Sequence, residues 1–329
     1  MPAAPTRPRT ATTPAGPRPG RPQTASVRRR HLRRQFDAGA GAEARRYRGE
    51  ARRRLRGALR ERFLAAQLVR PVRLVVEVGG GPGRFTPTLL GAASERYVAV
   101  DLAREGLRRA RRASRGAPGA ERAAWVQAAA ERLPLATGRA DAAVLLGNIV
   151  SMASTDGPTL LREVARVLRP GGRIIVDFAS VPSAIQEFLT LGAERGFLLR
   201  VLRDPRYYLL DEVIATGRQP YDPRRLARWE FRFYAYAEAA ALLRRTGFRV
   251  VDAMAIAPLS AHHAGIARRA ARERPTWAAL LRLEEAIGRR PGVLDTGHGF
   301  VVAAVRTGRA PRRASRRRAR LTATAADRR

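Results

Sequence analysis

The sequence predicts an α/β protein whose core is a doubly wound, Rossmann-like sheet of seven strands with helices on both faces. From residue 72 onward, short apolar segments rich in β-branched residues alternate with segments of helical periodicity. Segments such as VVEV and VLLG are apolar on both faces, as strands covered by helices on both sides must be. The chain has 329 residues, of which 45% are hydrophobic, and this is enough for a substantial core.

The composition excludes several kinds of functional site. The chain contains no Cys, which rules out disulfides, Cys-ligated metals and thiol nucleophiles. Only four His are present, so we expect no metal site built from His alone. No apolar run approaches the roughly 18 residues of a membrane-spanning helix. We therefore expect a soluble, cytoplasmic protein without a membrane span.

The excess of positive charge lies mostly at the two ends of the chain. Residues 1–73 carry 20 Arg and 4 acidic residues, and residues 306–329 carry 10 Arg and 1 acidic residue. Because all 64 basic residues are Arg and none is Lys, the charge is more typical of a GC-rich genome than of a phosphate-binding surface. We interpret residues 1–40 and 307–329 as disordered basic tails. Nucleic-acid binding through the tails is the less favoured alternative, and a targeting role stays open.

The folded domain is predicted to cover residues 41–306. Its first segment, residues 42–69, has Leu55, Leu59 and Phe63 at helical spacing and predicts one or two helices. Seven strands are predicted after it, at 72–78, 96–101, 123–127, 141–147, 172–178, 248–256 and 299–306. The main helices between them are predicted at 84–92, 103–114, 158–168 and 237–246.

Two segments are longer than a simple connection between a strand and a helix. Residues 179–236 follow the fifth strand and hold most of the aromatic residues, and residues 257–298 separate the last two strands. Ligands of open α/β sheets bind beyond the carboxyl ends of the strands, and long ordered insertions are usually functional. We therefore expect both insertions to form a substrate cap, with helices near 262–273 and 276–288 in the second.

The strongest local pattern is VVEVGGGPGRF at residues 75–85. Glu77 ends an apolar strand, and Gly79, Gly81 and Gly83 alternate in the loop that follows. Glycines let a ligand approach the backbone, and the next helix offers free N–H groups. A dinucleotide loop needs G-x-G-x-x-G, which fails in both registers, and a Walker loop needs a Lys. The pattern that remains is E-x-G-x-G-x-G.

A second acidic residue strengthens this pattern. Asp101 ends the next predicted strand, 18 residues after the last glycine of the loop, where nucleotide-binding folds hold a ribose. Further motifs follow in order: ERLPL at 131–135, ADAAVLLGNIVSM at 140–152 and LREVARVLRPGGRIIVDF at 161–178. With these motifs the chain resembles the class I S-adenosylmethionine-dependent methyltransferases, in particular the type 11/25 group. The resemblance covers roughly residues 72–305 and implies that the last strand is antiparallel.

The resemblance implies a cofactor, S-adenosylmethionine, and a role for the residues after the first two strands. The loop Gly79–Gly83 would pack against the methionine part of the cofactor. Glu77 would support that loop and reach the cofactor's amino group, directly or through water. Asp101 would accept hydrogen bonds from both ribose hydroxyls.

The resemblance also implies the groups around the adenine and the reacting sulfur. Leu102 would line the adenine ring. The family usually carries an acid that faces the adenine amino group, but this chain has Ala129 at that position. The backbone around Ala130 would then serve the ring. Gly147 and Asn148 would flank the sulfonium and the transferring methyl group.

A catalytic base is not identified by the sequence. Methyl transfer is an in-line displacement at an activated carbon, so alignment of donor and acceptor can carry most of the effect. A base is needed only if the acceptor must lose a proton. The candidates are His262, His263 and His298, with Tyr207 or Tyr208 as orienting groups, and no metal is expected.

Some classes of methyl acceptor are disfavoured. The fourth strand is not followed by N/D-P-P-Y/F, which argues against exocyclic amines of nucleic-acid bases, and cytosine C5 methylation needs a Cys. The aromatic-rich insertion favours a small organic acceptor that is methylated on O, N or C. Two alternatives stay open. One is an RNA-directed methyltransferase that uses the Arg-rich tails, and the other is a cofactor-binding protein without catalysis.

Overall fold

The computed structural model describes residues 24–69, 72–152, 157–194, 196, 198–203, 210–220, 230–261 and 263–308. Most of the two predicted tails, and with them the question of their disorder, lies outside these residues. The same is true of Tyr207, Tyr208 and His262. None of the helices in the described ranges combines the length and apolar character that crossing a membrane requires.

A mixed sheet of seven strands forms the centre of the protein. The described residues form nine strands, of which seven belong to this sheet. In chain order they are β1 (Val72–Val78), β2 (Ala93–Asp101), β3 (Ala123–Gln127), β4 (Ala140–Leu145), β5 (Leu168–Phe178), β6 (Arg218–Gln219), β7 (Phe231–Arg232), β8 (Phe248–Ala255) and β9 (Phe300–Arg306). The order in the main sheet is β3-β2-β1-β4-β5-β9-β8, and β6 pairs with β7 in a separate small sheet. The strands β1 to β5 pair in parallel, whereas β9 is antiparallel to both of its neighbours. The predicted doubly wound sheet with an antiparallel last strand is confirmed.

Helices cover both faces of this sheet. They are α1 (Ala25–Gly49), α2 (Ala51–Gln67), α3 (Thr86–Ala92), α4 (Arg104–Ala113), α5 (Gly157–Val167), α6 (Val181–Glu194), α7 (Leu198–Arg203), α8 (Leu210–Thr216), α9 (Tyr236–Arg245), α10 (Ala264–Ala270) and α11 (Arg274–Gly288). On one face, Phe63 of α2, Leu89 of α3 and Leu281 of α11 belong to one apolar core. On the other face, Leu160 of α5 and Leu243 of α9 belong to a second core. The sheet is therefore buried on both sides, as its apolar strands require.

The N-terminal boundary of the folded region differs from the prediction. The sequence predicts a disordered tail over residues 1–40, and this is wrong for residues 25–40, which lie in α1. Leu32 and Ala40 are buried, and α1 packs against α2 and α4. Most positions of α1 are polar, so its stability comes from these tertiary contacts and not from a continuous apolar stripe.

The second insertion completes the helical layer on one face of the sheet. Its helices α10 and α11 pack against α2, and the Arg54 guanidinium lies 5.4 Å from the ring centre of Trp277. The carboxylate of Glu284 in α11 is fully buried and accepts hydrogen bonds from the backbone N–H groups of Leu259 and Ser260. These contacts give this insertion a structural role in the core, whatever else it covers.

Candidate cofactor site

A cavity of about 600 Å³ opens at the carboxyl edge of the sheet. Its walls come from the loop after β1, the ends of β2 and β4, the segment after β3, and α1. Six of the residues predicted from the sequence line it: Gly79, Gly81, Asp101, Leu102, Ala130 and Gly147. This volume is within the range of small-molecule sites in proteins. The structure therefore brings these six residues, from separate segments of the chain, to one cavity.

The carboxylate of Asp101 connects the end of β2 to the glycine loop. One oxygen, Oδ2, accepts a hydrogen bond from the Gly81 N–H at 2.8 Å, and Oδ1 accepts one from the Ala103 N–H at 2.7 Å. Burial raises the pKa of Asp101 above its usual value, and the nearby carboxylate of Asp37 raises it further, while the two backbone donors oppose this effect. Asp101 thus fixes the position of the glycine loop relative to the end of β2 at the cavity wall.

Glu77 lies beneath the glycine loop and is not among the residues that line the cavity. Its carboxylate accepts hydrogen bonds from the Tyr97 hydroxyl and, at 3.2 Å, from Thr86 Oγ1. Burial raises the pKa of Glu77 to about 7, and these two donors offset only part of that effect. The geometry fits support of the loop from below. Contact of Glu77 with a cofactor amino group remains a prediction.

Two glycines of the loop have positive φ angles and neighbours that exclude a side chain. At Gly79, with φ of 76°, an added Cβ would overlap the side chain of Ile149. At Gly83, with φ of 83°, an added Cβ would lie 2.7 Å from the Cβ of Ala110 on α4. Non-glycine residues rarely adopt such φ angles. Gly83 therefore serves close packing of the loop on α4 and does not itself face the cavity.

The segment after β3 forms the wall next to Leu102. The Gln127 side-chain amide donates to the Leu102 carbonyl at 3.1 Å, and the Ala128 N–H donates to the Asp101 carbonyl at 3.0 Å. Ala129 and Ala130 both line the cavity. These two hydrogen bonds to backbone carbonyls therefore fix this wall, and position 129 presents no carboxylate to the cavity.

The loop after β4 is held by a buried acidic residue that the sequence analysis did not single out. Asp177, at the end of β5, is fully buried and accepts hydrogen bonds from the N–H groups of Gly147 and Asn148, at 3.0 and 2.7 Å. Its other oxygen pairs with Arg60 Nε at 2.8 Å, and Arg60 is also buried. The motif IIVDF could have indicated Asp177, because it places an acidic residue near the end of an apolar strand, as at Glu77 and Asp101.

Asn148 has an unusual backbone conformation next to the cavity. Its φ is 64°, which residues other than Gly adopt uncommonly. Asn148 itself is not a lining residue, but its neighbours Gly147 and Ile149 are. Its side-chain oxygen Oδ1 is buried and has no hydrogen-bond donor among the residues that the structure describes. Asn148 therefore lies behind the wall that its two neighbours form, and its contact with a cofactor remains a prediction.

The roof of the cavity is α1, which the sequence analysis missed. Its lining residues are Leu32, Gln35, Phe36, Ala38, Gly39, Ala40, Ala42 and Glu43. By contrast, no described residue of the insertions 179–236 and 257–298 lines this cavity. The prediction that these insertions cap a substrate remains a prediction, and the described roof comes from the other end of the chain.

The candidate bases lie away from this cavity, as far as the structure describes them. His263 is exposed at the start of α10. His298 is half-buried before β9, and its Nε2 lies 3.9 Å from a carboxylate oxygen of Glu187 in α6. Neither residue lines the cavity. The described ranges contain no group of three or more His, Asp or Glu side chains that could hold a metal ion.

The strand order, the glycine loop after β1 and the acid at the end of β2 together define the class I methyltransferase fold. Residues 75–172 match the family described as a methyltransferase domain. The resemblance to class I methyltransferases that the sequence motifs indicated is therefore confirmed.

Solved structures and curated relatives agree with this class. The 1,6-didemethyltoxoflavin-N1-methyltransferase of Burkholderia thailandensis, solved with 1,6-didemethyltoxoflavin and S-adenosylhomocysteine, aligns over 87% of this chain and 91% of its own. Its TM-score is 0.51 and its identity 21%, a likeness of fold. Biotin biosynthesis bifunctional protein BioHC of Cellvibrio japonicus is 36% identical over 115 residues, and the C-methyltransferase UbiE of Paracoccus denitrificans is 32% identical over 117 residues. These matches cover 35% of this chain, and 21% and 46% of the two relatives.

Proposed function

We propose that the protein is an S-adenosylmethionine-dependent methyltransferase that acts on a small-molecule acceptor. The observation that carries this proposal is the cavity at the carboxyl edge of the sheet, which is lined by Gly79, Gly81 and Asp101 together. A glycine loop and an acid at the end of the second strand are the two elements that a nucleoside with a polar tail needs in an α/β fold.

The residues around the cavity fit this cofactor. The backbone at Gly81 borders open space, since an added Cβ there would meet no atom within 4 Å. Asp101 would hold the ribose hydroxyls, and Leu102 with the backbone at Ala130 would hold the adenine. When bound, S-adenosylmethionine supplies a methyl group on a positively charged sulfur.

The work of the protein would then be to align the reactants and to exclude water. Leu146, Ile149 and Met152 supply apolar surface to the cavity after β4, next to Gly147. Such a wall keeps water from the reacting carbon and holds donor and acceptor in line for displacement. Asp177 would act as a positioning residue, because it fixes the backbone of Gly147 through a hydrogen bond.

One feature favours a small acceptor. The helix α1 roofs the cavity, which suits an enclosed molecule better than a polynucleotide strand.

A methyl-transfer assay with fractionated extracts tests this proposal. The protein is incubated with methyl-labelled S-adenosylmethionine and either the low-molecular-mass fraction or the RNA fraction of a cell extract. We expect label in the small molecules with the native protein and none with Asp101→Ala. Label confined to RNA would favour the RNA-directed alternative. Binding of S-adenosylhomocysteine without transfer to either fraction would favour the non-catalytic alternative.

A further inference from the structure

We propose that Gly39 of α1 is a determinant of ligand affinity, because the absence of a side chain at this position leaves room for the ligand in the cavity. This inference deepens the proposed function and rests on it. It concerns α1, which lies outside the segment matched to the methyltransferase family.

The helix α1 is held over the mouth of the cavity at separate points along its length. Near its start, Arg28 forms an ion pair with Glu230, just before β7. At its middle, Asp37 Oδ1 accepts a hydrogen bond from the Glu105 N–H in the first turn of α4, at 2.9 Å. The helix α1 also packs against α2 and α4. Because contacts on either side hold it, the helix forms a fixed wall whose side chains determine the free space below.

Gly39 lies in a part of α1 where the residues that line the cavity have small side chains or none. It lines the cavity, and an added Cβ would meet no atom within 4 Å, so a side chain there would extend into free space. Its neighbours Ala38 and Ala40 also line the cavity and are small. Gly39 lies one helical turn from Gln35 and Phe36, which also line the cavity. Gly39 therefore lies on the face of α1 that is directed at the cavity.

A second glycine in the same helix provides a matched comparison. Gly41 does not line the cavity, and an added Cβ would lie 3.3 Å from Nη2 of Arg109, the end of a flexible side chain on α4. Glycine is unfavourable inside a helix at both positions, so larger residues should support α1 equally well at either one. Only the substitution at position 39 should occupy space that a ligand needs.

The test compares S-adenosylhomocysteine binding, by calorimetry, with the melting temperature of the ligand-free protein. The native protein is compared with Gly39→Ala, Gly39→Leu and Gly41→Leu. We expect Gly39→Ala and Gly41→Leu to bind within about threefold of the native protein, and Gly39→Leu to bind roughly tenfold more weakly or worse. The melting temperature of either Leu variant should not fall, because Leu favours helix over Gly.

Each alternative result has a definite meaning. Native affinity in Gly39→Leu would overturn the inference, and so would an equal loss in both Leu variants, which would indicate general disturbance of α1. If Gly39→Leu does not fold, Gly39→Met provides the same test with an unbranched side chain. A native protein that does not bind S-adenosylhomocysteine would overturn the proposed function itself, and this inference with it.

Discussion

Replacing Glu77 by Gln is expected to stabilise the ligand-free protein at alkaline pH and to have little effect near pH 5. Glu77 is 2% exposed, and burial raises the pKa of its carboxyl group from 4.5 to about 7. The folded state therefore binds this proton more tightly than the unfolded state does, and ionisation destabilises the fold. The penalty is absent well below pH 4.5, grows as the pH rises towards 7, and is fully present above it. A shift of this size corresponds to about 3 kcal/mol of unfolding free energy.

Urea unfolding at about pH 5 and about pH 8 measures this effect. Gln keeps an oxygen that can accept the Tyr97 hydrogen bond but cannot ionise. We expect the stability of Glu77→Gln relative to the native protein to rise by about 2–3 kcal/mol from the lower to the higher pH. Glu121→Gln, at an exposed carboxylate, serves as the control and should show no comparable rise. A difference between Glu77→Gln and the native protein that does not change with pH would refute the reasoning.

Three further substitutions test the groups around the cavity. Asp101→Ala should weaken S-adenosylhomocysteine binding, measured by calorimetry, by roughly a hundredfold, because hydrogen bonds to a charged group are lost. Native affinity would contradict the role of Asp101. Asp37→Ala removes the hydrogen bond at the start of α4, and we expect it to lower the free energy of unfolding by about 1 kcal/mol and to speed hydrogen exchange in α1. Unchanged exchange would argue against a tethered roof. Asp177→Ala leaves Arg60 buried without its carboxylate partner, and we expect it to lower the free energy of unfolding in urea by about 3–5 kcal/mol. A loss near zero would contradict the buried pair.

The sheet and much of the site could be predicted because their signals are local. Parallel strands buried on both faces are continuous apolar runs, and VRLVVEV and AAWVQ are strands at the predicted residues. The strand β5 begins at Leu168, four residues before its prediction, because Arg-Pro-Gly-Gly resembles a helix stop. The glycine loop was found because it directly follows an apolar strand, and Asp101 was found because it ends one.

The roof of the cavity, α1, could not be predicted, because the residues of this segment do not by themselves indicate a stable helix. Residues 25–40 contain five Arg and only three large apolar residues, and their helix depends on contacts with α2 and α4, which come later in the chain. The place where the second insertion packs could not be predicted either. Its length and helical pattern were evident, but packing against α2 depends on which face of the sheet the chain crosses.

A titration with S-adenosylmethionine, S-adenosylhomocysteine and NAD, followed by thermal shift and calorimetry, tests the central claim most directly. A ligand at about 100 times its dissociation constant stabilises the native state by roughly 2.7 kcal/mol. We predict this stabilisation for the two sulfur compounds and none for NAD, because the loop lacks the third glycine of the dinucleotide pattern. Stabilisation by NAD, or the absence of any response to the sulfur compounds, would contradict the account.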